Sequence, residues 1–250
     1  MLILLPPSES KAAPARRGRP VDVDGLSFPD LAPLRRKVLA ALVETSARPD
    51  AVDLLGVGAS LAGEVARNTR LEQLPTSPAH AVYTGVLYDA LGWATLSPPA
   101  RRLGTRRVLI ASALWGAVRP NDRIPPYRLS MDGDLPGLGA LARLWRERLP
   151  QVLDDASRRG VVVDCRSGTY AAAAPLATFG ARGVAIRVLR EENGKRSVVS
   201  HLAKHTRGEV ARFLLESGET PRRATDLADL LATRWPVELD ANRLDVVLRD

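Results

Sequence analysis

Four short, unbroken apolar runs place the tightest limit on what this chain can fold into: LILL at 2–5, RVLIAS at 107–112, GVVVDC at 160–165 and GVAIRVLR at 183–190. Each is too short for a buried helix and is bounded by proline, glycine or charged residues, which is how a buried strand reads. Between these runs the apolar spacing changes to that of helices. Leu31, Leu34, Val38, Leu39 and Leu42 share one helical face, and Leu61, Val65 and Ala66 begin a second that ends near Leu71. Ser97 stands as an N-cap with Pro98 in the first helical position, and the amphipathic stretch 138–160 breaks at Pro150. Small residues follow the third run as a helix, GTYAAAAPL, and longer helices are predicted at 201–217 and 225–233. Asn193-Gly194, between two extended segments, is a two-residue hairpin turn, and PVELD and RLDVVLRD close the chain as strands. Strands interleaved with helices predict a mixed α/β fold, with no repeat or linker that would split residues 1–250 into separate domains.

The charge balance points to polyanions. Lys and Arg total 36 against 28 Asp and Glu, a net charge of +8 and a pI near 10.3. Such a surface suits nucleic acid, an anionic membrane or phosphorylated small molecules, although arginine-rich surfaces also arise from GC-rich coding. The single Cys165 excludes an internal disulfide, the N-terminus lacks the basic region of a signal peptide, and no apolar stretch is long enough to span a membrane. These features predict a cytoplasmic protein with no membrane partner, acting as a monomer.

The stretch LLGVGASLAGEV at 54–65 sets two glycines one residue apart in front of a helix. Glycine permits the positive φ of a tight interhelical turn and removes the side chain that would hold a phosphate away from peptide N–H groups. The first N–H groups of the following helix and its positive dipole end face the same space. A phosphate-binding hairpin over about residues 49–70, using Gly56 and Gly58, is therefore expected, the plain alternative being an αα turn with a glycine C-cap. Contacts of that kind read the backbone and not the bases.

Other cations are candidates for the same task. Ser8 and Lys11 follow the first strand on a loop, where ligand contacts are common. Their Ser-x-x-Lys spacing is also that of a lysine-activated serine nucleophile, but the companion motifs of that chemistry are absent. Arg119 and Arg128 bracket a loop stiffened by Pro120, Pro125 and Pro126, and Tyr127 adds a ring and a hydroxyl. The alternative is that these arginines pair with Asp122 and Asp132. Lys204 and Arg207 share a helix face, with the small Gly208 and Ala211 leaving room for a ligand. His201, His205 and Glu209 recur at a spacing able to hold a metal, and Asp164 ends a predicted strand where α/β enzymes place carboxylates; both are secondary candidates, and no cofactor is expected. Cys165 reads as a small buried hydrophobe.

Several segments together resemble the YaaA family of peroxide-stress, DNA-binding proteins: MLILLPPSESK, VYTGVLYDAL, ALWGAVRPNDRIPPYRLSM, EENGKRSVVS and SHLAKHTRGEVARFLLE, in that order over residues 1–215. The Arg-Pro followed by Pro-Tyr-Arg-Leu-x-Met is the most distinctive match; Trp115 stands where that family usually carries tyrosine. The resemblance implies a compact α/β protein with a helix-hairpin-helix element and a positively charged cleft. It also implies binding of double-stranded or branched DNA in the peroxide-stress response, with no established enzyme activity. A DNA- or nucleotide-processing enzyme of glycosylase or nuclease type, using Asp164, is the alternative, and a binder of phosphorylated metabolites is a third.

Overall fold

The computed structural model describes residues 1–158 and 160–249. Its centre is an eight-stranded mixed sheet. The strands are β1 (Leu2–Leu5), β2 (Val108–Ser112), β3 (Gly116–Val118), β4 (Val162–Asp164), β5 (Gly183–Glu192), β6 (Lys195–Ser197), β7 (Val237–Asp240) and β8 (Arg243–Arg249). Their order is β7-β8-β5-β4-β1-β2-β3, with β6 added to β5. The inner strands β2, β1, β4, β5 and β8 run parallel, whereas β3, β6 and β7 are antiparallel to their neighbours. This explains the unbroken apolar runs. A parallel strand covered on both faces has no polar side to show, and all four residues of β1 are buried.

The helices that bear on the site are α1 (Ala32–Ser46), α2 (Ala62–Asn68), α3 (Val86–Leu91), α4 (Pro98–Arg107), α5 (Leu149–Ser157), α6 (Gly168–Ala173), α7 (Ser200–Glu216) and α8 (Ala224–Ala232). Local signals placed several of them. The Ser97 hydroxyl accepts the Ala100 N–H at 3.3 Å and caps α4. Pro150 falls in the first turn of α5, where its missing N–H costs no helical bond, so the amphipathic stretch divides there. Asn193 and Gly194 take φ of 52° and 73°, the two positive values that a tight hairpin turn demands.

One expectation is corrected. The small residues Gly208 and Ala211 do not make room for a ligand; they are buried. A Cβ at Gly208 would lie 2.2 Å from the carbonyl oxygen of Leu87, so glycine here lets α7 pack directly on the backbone of α3.

All the parallel strands point their carboxyl ends to one edge. From β1 the chain next enters the sheet at β2 on one side, and from β4 it next enters at β5 on the other. The adjacent strands β1 and β4 therefore send their connections in opposite directions. In open α/β sheets that arrangement leaves a crevice outside the carboxyl ends, where ligands bind. The loops that begin at Pro6, Ala113 and Cys165 border it.

Candidate functional site

The first wall is the loop after β1. Pro6 and Pro7 end the strand, and the chain then folds back through Ser8, Glu9 and Ser10 to Lys11, which pairs with Tyr83. The Ser8 hydroxyl accepts the Thr84 N–H at 3.0 Å and donates to the Ser10 carbonyl. Lys11 Nζ donates to the carbonyl oxygen of Ser8 at 3.1 Å. Ser8 thus shapes the loop through its hydroxyl and meets Lys11 through its backbone, which is not the arrangement of a serine activated by lysine.

Beneath Lys11 lies a tyrosine cluster. Lys11 Nζ stands 4.4 Å from the centroid of the Tyr127 ring and 5.8 Å from that of Tyr83. The Tyr83 and Tyr127 hydroxyls are 3.1 Å apart, and Tyr127 also bonds the Ser112 hydroxyl at 2.7 Å. Ser112 in turn accepts the Trp115 N–H at 2.9 Å, fixing the chain where β2 ends. Tyr88 stacks on Tyr83 with centroids 5.6 Å apart and donates to the Pro6 carbonyl. Burial pushes all of these phenols well above their ordinary range, so they remain protonated donors. Burial acts the other way on Lys11, lowering it to about 7, with the nearby Arg128 cation adding to the effect.

Two further cations meet at Glu9. Arg128 Nη1 donates to the Glu9 carbonyl at 3.0 Å and lies 3.7 Å from the Glu64 carboxylate. Lys204, from α7, lies 3.7 Å from the Glu9 carboxylate, and both of these side chains are largely exposed. Arg128 is tied to α2 by Asn68, whose side chain accepts the Arg128 N–H at 2.9 Å and donates to its carbonyl at 2.8 Å. That two-point grip docks the end of α2 where the predicted helix had run on to residue 71.

The second wall follows β4. Asp164 gives both carboxylate oxygens to Arg166, which donates from Nε at 2.8 Å and from Nη2 at 2.7 Å. Arg166 also reaches the carbonyls of Tyr170 and Ala174, and both members of the pair are buried. With its oxygens committed, Asp164 serves as a strut between β4 and α6. Cys165 is buried beside it, its thiol pushed up to about 12 by burial.

A family model described as Peroxide stress protein YaaA matches residues 1–236, and both walls lie inside the match. The chain belongs to the YaaA peroxide stress family. It is 47% identical over 234 residues to a UPF0246 protein of Streptomyces coelicolor, covering 92% of this chain and 89% of that one. A UPF0246 protein of Corynebacterium efficiens is 41% identical over 254 residues, covering 99% and 98%. A UPF0246 protein of Corynebacterium glutamicum is 40% identical over 235 residues, covering 92% and 91%.

Within this family member, the expected site residues divide by position. Ser8, Lys11, Tyr127, Arg128 and Lys204 come together around the loop after β1. Arg119 does not join them. It follows β3, whose antiparallel pairing carries it to the opposite edge of the sheet, where it donates to the Arg106 carbonyl and lies over the Phe28 ring at 5.3 Å. Asp122 accepts the Arg119 backbone N–H and not its guanidinium. Arg207 turns to the Ile186 carbonyl on β5, at 3.1 and 3.2 Å, instead of following Lys204 outward. His205 pairs with Glu209 at 3.4 Å, and among the described residues no three His, Cys, Asp or Glu side chains converge as metal ligands would.

Gly56 and Gly58 lie on the surface between a one-turn helix, Ala51–Leu54, and a short 3-10 turn, Ala59–Leu61, that leads into α2. Gly56 has φ +60°, and an added Cβ would meet nothing within 4 Å at either its own position or, closer than 3.9 Å, at Gly58. The Gly56 and Val57 amides donate back to Asp53 and Val52, at 3.0 and 3.1 Å. The amides from Gly58 to Ser60 come at the start of the next helical turn, where N–H groups have no partner within the helix.

Sequence reasoning missed Tyr83, Tyr88, Tyr170, Ser112 and Asn68. The first two sit in VYTGVLYDAL, whose paired tyrosines were a readable signal. Asn68 gave none, since its partner is 60 residues away. A mostly apolar cavity of about 480 Å³ lies behind Tyr83 and Tyr88, against the sheet, where His80 and Trp93 stack with centroids 5.0 Å apart.

Proposed function

We propose that this chain binds double-stranded or branched DNA through its phosphates, with little preference for sequence, as its part in the peroxide-stress response for which the family is named. The observation that carries this reading is the gathering of Arg128 and Lys204 about Glu9, at the crevice where the β1 and β4 connections diverge. Arginine offers a planar fork suited to phosphate oxygens, and the exposed Lys204 ammonium is a mobile point charge. An arriving phosphate replaces the Glu9 carboxylate beside Lys204 and the Glu64 carboxylate beside Arg128. Lys11 is recessed over Tyr127 and closes the floor behind them.

The Gly56–Gly58 turn supports a second contact, and we read residues 49–70 as the helix-hairpin-helix element. Glu64, whose carboxylate lies 3.7 Å from the Arg128 guanidinium, follows Gly58 by six residues, so the turn and the cation group stand on the order of 10 Å apart along that segment. We read the space between them as a basic cleft, a reading that the net charge of +8 supports. The reading through Asp164 as a glycosylase- or nuclease-like carboxylate finds less support, because Arg166 holds both of its oxygens.

Fluorescence anisotropy with a labelled duplex and a four-way junction tests the proposal. Affinity is expected to fall steeply with salt and to vary little between sequences. Gly58→Glu is a direct probe: Gly58 has an ordinary φ of −69° and open space around it, so the fold tolerates the change. The variant is expected to melt as the parent does and to bind at least tenfold more weakly. Unchanged affinity would remove the turn from the interface.

A further inference from the structure

Tyr83, Tyr88, Tyr127 and Tyr170 are all the tyrosines of the chain, and all four are buried near one another. Tyr83, Tyr88 and Tyr127 are joined by stacking and hydrogen bonds, and Tyr170 lies near enough to Tyr127 that this neighbour adds to the burial that raises the Tyr170 phenol. Among the described residues, Lys11 is the one amine set upon this cluster. Its Nζ bonds only the carbonyl oxygens of Ser8, at 3.1 Å, and Glu9, at 3.5 Å, and among the described residues no carboxylate comes within ion-pair distance of it. Arg128 and Lys204 take the carboxylates that are near.

The choice of residue matters here. The chain meets nearly all its cationic needs with arginine; its lysines are Lys11, Lys37, Lys195 and Lys204. An arginine over the Tyr127 ring would make the same cation–π contact and stay charged, whereas a lysine can release its proton. Desolvation beside another cation is a recognised way to activate an amine nucleophile, and burial with Arg128 nearby provides both conditions. Among the described residues, no side-chain base bonds Nζ to drive acyl transfer. A neutral amine needs no such base to condense with an aldehyde.

We propose that Lys11 captures an aldehyde borne next to a phosphate, as in the ring-opened sugar of an abasic site in DNA or in a free sugar phosphate, by forming a Schiff base. The Nζ lone pair attacks the carbonyl carbon and makes the C–N bond. The carbonyl oxygen takes up the protons lost from nitrogen and leaves as water, so amine and aldehyde become imine and one water, with nothing oxidised or reduced. Arg128 and Lys204 hold the adjoining phosphate, and the Tyr127 and Tyr83 rings form an apolar floor under the new bond. The phosphate-holding part of this scheme rests on the DNA reading above; the amine chemistry does not.

The test is reductive trapping of the full chain with sodium borohydride in two arms. One contains a duplex with a single abasic site, the other 2-deoxyribose 5-phosphate, and binding to the same duplex without the lesion is measured in parallel. The expected result is a borohydride-dependent covalent adduct in at least one arm, mapped by peptide mass spectrometry to Lys11. It is expected to be lost in Lys11→Arg, which keeps the charge but not the releasable proton, with circular dichroism confirming that the variant folds. Adduct with the abasic duplex makes DNA the source, and adduct with the sugar phosphate alone makes it a small molecule. No adduct in either arm, or an adduct mapped to Lys37, Lys195 or Lys204, overturns the proposal even where the intact duplex is bound. Loss of intact-duplex binding with the sugar-phosphate adduct retained at Lys11 overturns the DNA reading and leaves the amine chemistry standing.

Discussion

Two neighbouring strands end at the same edge of the sheet and treat charge in opposite ways. After β4, Arg166 is buried with all three side-chain nitrogens bonded, by a two-point bond to Asp164 and by the carbonyls of Tyr170 and Ala174. After β1, Lys11 stands over the Tyr127 ring with carbonyls for partners and no carboxylate, and Arg128 and Lys204 beside it face carboxylates that solvent also reaches. A charge closed upon itself in the interior holds chain segments together. A charge left open at a crevice is available to something outside. The contrast separates the closed wall of the crevice from the open one, although both carry cationic residues.

Breaking the closed side is expected to have the largest effect. Asp164→Ala strands a buried guanidinium and is expected to cost about 3–5 kcal/mol in urea denaturation, whatever it does to binding. If that variant kept its stability, the strut role would be wrong. Gly208→Ala comes next. It drives a methyl group into the Leu87 carbonyl, and the overpacking is expected to cost about 3 kcal/mol by the same measurement. A variant as stable as the parent would show that α7 can move off α3.

The open side is expected to respond to pH. Lys11 titrates near 7 in the folded protein against 10.5 for a free lysine, so between those values the unfolded chain binds more protons than the folded one. Stability from this group is fully present above 10.5 and is lost as pH falls through 7. Its contribution is therefore expected to rise with pH above 7, by on the order of 1 kcal/mol per pH unit, and to vanish in Lys11→Met. Parallel pH profiles for parent and variant would contradict the account of Lys11. The smallest effect is expected from Glu9→Gln, which removes the carboxylate competing for Lys204 and strengthens duplex binding about two- to threefold. Weaker binding would assign Glu9 a direct role.

The legibility of the molecule followed the range of its interactions. Buried parallel strands announce themselves as apolar runs, Ser97 and Pro98 mark a helix start, and Asn193-Gly194 marks a hairpin, because each of these is decided within a few residues. The members of the site were partly visible for the same reason, since Ser8 and Lys11 follow a strand and Arg128 lies in a distinctive proline-stiffened segment. Their grouping was not visible. Arg119 and Arg128 look alike in the chain, yet the antiparallel turn into β3 sends Arg119 to the far edge of the sheet. Gly208 looked like room for a ligand because nothing nearby in sequence says that Leu87 occupies that room. Asp164 read as a secondary candidate for a catalytic carboxylate, although Arg166, only two residues on, folds back to pair with it.

The salt dependence of duplex binding for the parent, Arg128→Ala and Lys204→Ala tests the central claim most directly. If these open cations hold phosphates, each substitution lowers the slope of log affinity against log salt by about 1 and weakens binding equally on unrelated sequences. Slopes equal to the parent's in both variants would mean that the loop after β1 does not meet DNA.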